Sequence, residues 1–141
     1  MSRSPNGTTD DSTERIHREY VLDVRIVEVT TAAGDAAYRF EAPHHDGRTF
    51  TDAETAELYA DVYFDVNGFD EQRVGERGVP PEIIQAGRDT LAAYFVTQHY
   101  GDVEWVASYY GHKPERARRY VERVRKRARK IRDGVRNGAA D

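Results

Sequence analysis

Almost nothing in residues 1–18 is apolar before Ile16. Such a stretch buries too little surface to offset its ordering entropy, so a disordered lead is expected there. The pattern then changes. From Tyr20 to Thr30 β-branched residues are dense, and Leu22, Val24 and Ile26 alternate with Asp23 and Arg25. That two-residue period is the mark of a strand with one buried face. Ala32-Ala33-Gly34-Asp35 supplies turn residues, and Tyr38 and Phe40 then alternate with Arg39 and Glu41, completing a hairpin. Pro43 closes it, and Asp46-Gly47 offers a turn that would bring Arg48-Thr49-Phe50 back as a short third strand.

Beyond Phe50 the period lengthens to that of helices. Thr51 and Glu54 fit a capping box. The helix after them would put Leu58, Tyr59, Val62, Tyr63 and Val66 on one face and stop at Asn67-Gly68. Residues 70–79 are polar and glycine-punctuated, which reads as a surface loop. Pro80-Pro81 opens a helix expected to run to Tyr100, with Ile84, Gly87, Leu91, Tyr94 and Phe95 as its buried stripe and Gly101 as its end. Asp102 suits an N-cap, Gly111 a tight turn, and Pro114 a restart. A last helix from Pro114 to Val135 would then bury Ala117, Val121, Val124, Ala128, Ile131 and Val135 along one narrow seam. No internal repeat is present. The expected fold class is α+β: an N-terminal β-hairpin (three strands if the Asp46-Gly47 turn forms) plus a helix, packed on a C-terminal three-helix unit. The expected regions are a lead (1–18), an acidic hairpin and helix (19–79), and a basic helical region (80–136).

Charge sharpens this division. The 141 residues carry 21 Lys+Arg and 25 Asp+Glu, a net of −4. The signs are segregated: residues 1–100 hold 9 bases and 19 acids, whereas residues 101–141 hold 12 and 6. An acidic body is therefore joined to a basic end. Arginine outnumbers lysine 18 to 3, and cysteine is absent, which rules out disulfides, thiolate metal sites and a cysteine nucleophile. An acidic, lysine-poor composition fits a salt-adapted cytoplasmic protein, and GC-rich coding would produce the same bias. No apolar run is long enough to span a membrane, and no signal peptide is expected.

Residues 102–121 carry small and apolar residues at Val106, Ala107, Tyr110, Gly111, Ala117 and Tyr120. With the helix expected over 81–100, this stretch resembles the helix-turn-helix DNA-binding superfamily over residues 81–132. In that family a small residue lies under the crossing helix and a glycine reverses the chain. The charge pattern is a separate observation. Arg116, Arg119, Arg123, Lys126 and Lys130 recur opposite the apolar seam, and residues 112–132 hold 11 bases against 2 acids. The resemblance implies that the start of the second helix reads bases, with Lys113, Glu115, Arg118, Arg119 and Glu122 as candidates. Arg116, Arg123, Arg125, Lys126 and Ser108 would contact phosphates. Double-stranded DNA is the expected partner, and a homodimer through the C-terminal helix would supply two such units. The alternative is a protein-interaction module whose basic helix docks an acidic partner or the chain's own acidic half.

A second resemblance is to the C-terminal segment of tyrosine recombinases, carried by Arg88, Gly111-His112 and Tyr120. It implies that Arg88 and His112 would stabilise a phosphate that Tyr120 attacks. This is the remote alternative. The chain is read as a non-enzyme without cofactor, catalytic residue or metal site, since His44-His45-Asp46 lacks ligand spacing with any other histidine. The expected function is sequence-specific binding of duplex DNA, in a transcriptional regulator or a mobile-element accessory factor.

Overall fold

The computed structural model describes residues 13–45, 47–71, 79–99 and 101–139. Residues 1–12 of the expected lead, Asp46 of the expected turn, most of the 70–79 loop and Tyr100 lie outside the described residues. The fold is α+β, as the periodicities predict. Four antiparallel strands, β1 (Thr13–Glu19), β2 (Arg25–Thr30), β3 (Ala36–Glu41) and β4 (Arg48–Phe50), pair in chain order. Five helices follow among the described residues: α1 (Ala53–Asp65), α2 (Pro81–Ala86), α3 (Arg88–Val96), α4 (Val103–Tyr110) and α5 (Pro114–Ala139).

The hairpin of β2 and β3 forms as its alternation requires, with Ile26 opposite Phe40 and both fully buried. The start of the sheet departs from expectation. Residues 13–18, expected in the disordered lead, belong to β1, all of whose residues are exposed. Leu22 does not share the pleat of Val24 and Ile26. Leu22 and Asp23 both take left-handed backbone conformations, and Leu22 is exposed. They form the tight turn between β1 and β2, closed by Tyr20 N–H donating to Val24 O at 2.8 Å. What β1 lacks in apolar residues it offsets with charge pairs. Arg39 on β3 reaches Glu14 on β1 at 3.0 Å and Glu41 at 2.7 Å, and Glu41 accepts from Arg25 of β2 at 2.7 Å.

α1 lies on the inner face of the sheet. Its N-cap is Asp52, which accepts from Thr55 N–H at 2.8 Å, so the Thr51–Glu54 capping box does not form. Asp52 already satisfies the early helix donor that Thr51 would have capped. Tyr59, fully buried, meets Phe40, Phe50 and Phe69 at ring distances of 5.1, 5.0 and 5.3 Å. Its hydroxyl donates to Glu71 at 2.7 Å, and Glu71 also binds Arg48 and the Tyr94 hydroxyl. Burial, with the Glu71 charge next in size, pushes the Tyr59 phenol well above its ordinary range. This network ties sheet, α1 and α3 together. His45, which lacks metal-ligand spacing with any other histidine, sits 3.0 Å from the Tyr59 hydroxyl.

The helix expected from Pro81 to Tyr100 is broken. Gly87 at φ 116° separates α2 from α3, a conformation that a side chain would strain. The break resets the helical phase, so Ile83 is buried where Ile84 was expected, while Tyr94 and Phe95 remain inside and Ile84 is exposed. α3 ends at Val96 rather than at Gly101. α5 packs across α1, α3 and α4. Ala117, Val121, Val124 and Ala128 of the expected seam are buried. Further along, Ile131 is exposed and Arg132 is buried in its stead.

Candidate nucleic-acid interface

Asp102 caps α4 by accepting from Trp105 N–H at 2.7 Å. At the other end Gly111 adopts φ 71°, and His112 N–H donates back to Ala107 O at 2.7 Å. That left-handed cap reverses the chain within residues 111–113, and Pro114 starts α5 without a wasted donor. Val106, Ala107 and Ala117 are all nearly inaccessible, and α4 packs against α5. The first turns of α5 bury Ala117, Tyr120 and Val121 and leave Glu115, Arg116, Arg118 and Arg119 exposed.

Nine of the ten expected DNA-contacting residues are exposed: Ser108, Lys113, Glu115, Arg116, Arg118, Arg119, Glu122, Arg123 and Lys126. Arg125 is half-buried and donates to Glu122 at 3.2 Å. The ten do not form one cluster. Lys113, Glu115, Arg116 and Arg119 border an open recess of about 580 Å³ beside the turn. Arg118, Glu122 and Arg125 face the opposite side, toward α1. Arg123 lies over the Tyr120 ring at 5.8 Å.

The arginines of α5 divide by their partners. Arg127 donates to Asp65 at 2.8 Å and to Asp89 at 2.8 Å. Arg132 donates to Asp61 at 2.7 Å inside the protein, with its guanidinium over the Tyr20 and Phe64 rings. Burial outweighs the adjoining Arg132 and holds the Asp61 carboxyl above its usual range. For Asp89, burial is outweighed by Arg127, and its carboxyl falls below the usual range. Neither Arg127 nor Arg132 was among the expected contacts. They fasten the basic helix to the acidic body. Lys113, Arg118, Arg119, Lys126, Arg129 and Lys130 have no acidic partner among the described residues. With the positive end of the α5 dipole beside Lys113, this leaves exposed cations both beside the turn and on the side toward α1.

Arg88, His112 and Tyr120, distant in sequence, come together at the same end of α5. The Arg88 guanidinium lies over the Tyr110 ring at 5.4 Å. The Tyr110 and His112 rings stack at 6.1 Å, and His112 lies 6.2 Å from the Tyr120 ring. Burial acts to raise the Tyr120 phenol, but hydrogen bonding to Arg88 and Arg116 brings it below its ordinary value. The Tyr110 hydroxyl and His112 Nε2 are buried without a hydrogen-bond partner among the described residues.

Among the described residues no three His, Asp or Glu side chains gather to hold a metal ion. No helix among them is long and apolar enough to cross a membrane. Comparison with protein-family models, with curated proteins and with solved structures gives no match.

Proposed function

We propose that the chain binds double-stranded DNA through the exposed basic face of α5 and the turn before it, as a transcriptional regulator or a mobile-element accessory factor. The observation that carries this reading is the division of the α5 cations. Arg127 and Arg132 pair with Asp65, Asp89 and Asp61 of the body, while Lys113, Arg118, Arg119 and Lys126 are exposed and without acidic partners among the described residues. A helix that served only to clamp its own acidic half would need no such second set. Any pairing of two copies along α5 would be confined to its last turns, around the exposed Ile131, because the earlier seam is already buried.

Fluorescence anisotropy with a labelled duplex tests the reading. Binding at micromolar concentration or tighter is expected, with a loss of at least about tenfold in Arg118→Ala/Arg119→Ala. Displacement by excess polyglutamate as readily as by duplex would favour docking of an acidic protein partner instead.

The convergence of Arg88, His112 and Tyr120 favours a second reading, in which the same face performs phosphoryl transfer. The Tyr120 oxygen would displace one ester oxygen of a DNA phosphate, and that oxygen would leave with the phenolic proton. Against it stands Gln85, exposed on α2, where the recombinase pattern has a histidine. A nicked duplex should trap a covalent protein–DNA adduct that Tyr120→Phe abolishes; absence of the adduct while binding persists would remove this reading.

A further inference from the structure

On the side of α5 away from the turn recess, a groove of about 410 Å³ opens between α1, the end of α3, the start of α4 and the first turns of α5. Leu58 and Val121 form a buried floor, and Val96 and Val103 stay half-exposed along it. A second cavity of about 420 Å³ adjoins it across Val96 and Val103. Volumes of this size suit a small organic molecule.

The rim decides which kind. Glu54 stands on the α1 wall and Arg118 on the α5 wall, both exposed and neither hydrogen-bonded nor ion-paired among the described residues. The remaining charged pair on the rim, Glu122 and Arg125, is already joined at 3.2 Å. The groove therefore offers one free anion, one free cation and an aliphatic floor. A hydrocarbon would cover the floor but answer neither charge. A simple carboxylate would answer Arg118 but oppose Glu54, and a simple amine would do the reverse. A zwitterion with an apolar side chain answers all three features.

We infer that this groove binds a free α-amino acid with an apolar side chain, its carboxylate on Arg118, its ammonium on Glu54 and its side chain over Val96 and Val103. Arg118 also belongs to the cationic surface proposed for DNA. The bound amino acid withdraws that charge and weakens DNA binding, a coupling that rests on the proposed function, whereas the binding itself does not.

Isothermal titration calorimetry of the full chain without DNA tests the site. L-leucine should bind with a Kd of about 0.1–1 mM. N-acetyl-L-leucine, lacking the ammonium, and L-leucinamide, lacking the carboxylate, should each bind at least about tenfold more weakly. Glu54→Gln should weaken L-leucine by a similar factor, and Val96→Phe should block it by filling the floor. No saturable heat with the native chain, or equal affinity for the blocked derivatives, overturns the inference. Saturating L-leucine should then raise the Kd for duplex about threefold, by removing one cation from the contact surface. Duplex affinity unmoved by bound leucine overturns the effector role, and leucine binding in a chain that ignores duplex overturns the DNA reading alone.

Discussion

Asp61 and Arg132 form the pair on which most depends at the level of single residues. Both side chains are largely withdrawn from water, at 12% and 8% exposure, and are joined at 2.7 Å. Removing one partner from such a pair strands the other's charge in a poorly solvated place. Asp61→Ala should therefore lower stability to urea at pH 7 by about 3–5 kcal/mol. Asp133→Ala breaks the pair with Arg136, which is more than half exposed on both sides, and should cost no more than about 0.5 kcal/mol. Equal midpoints for the two variants would contradict the assigned burial. Arg132 also shows how far a site can be read from sequence. The exposure of the basic residues of α5 was legible because basic and apolar positions segregate at helical spacing. The burial of Arg132 was not, since it depends on Asp61 arriving from α1. A partial signal existed: Arg132 follows Ala128 by four residues, which is a step along the seam as natural as Ile131.

Among the elements, those with strong periodicity or firm stop residues emerged where expected, namely the β2–β3 hairpin, α1, α4 and α5. β1 did not, because its sequence TERIHRE has a single apolar residue and every position is exposed. It is held by backbone pairing and cross-strand charges, neither of which leaves a hydropathy pattern. The break at Gly87 was equally hidden, since glycine is compatible with a helix interior at modest cost and only its φ of 116° reveals the interruption. Two other glycines separate backbone conformation from crowding. Gly111 has φ 71° with open space around it, whereas a Cβ on Gly101 would collide with the Phe95 carbonyl oxygen. Gly111→Ala should cost about 1–2 kcal/mol. Gly101→Ala has no such conformational cost but must shift the end of α3, which should cost about 1–3 kcal/mol of overpacking. Thermal unfolding measures both variants, and an unperturbed Gly101→Ala would contradict the close approach of Gly101 to the Phe95 carbonyl.

For the whole molecule, the net charge of −4 is the least informative description, because acids and bases occupy different halves. Arg127 and Arg132 neutralise part of the body where α5 crosses it. The remaining cations face outward, Lys113, Arg116 and Arg119 beside the turn and Arg118 toward α1. A polyanion should therefore be accepted along α5 and repelled elsewhere, with association steeply sensitive to salt. Anisotropy of a labelled duplex across a salt series measures this most directly. With about five phosphate contacts, the log–log slope of affinity against salt should lie near −4 to −5, and Arg123→Ala/Lys126→Ala should reduce its magnitude by about 2. No binding at 50 mM salt, or a slope that the two substitutions leave unchanged, would contradict the account.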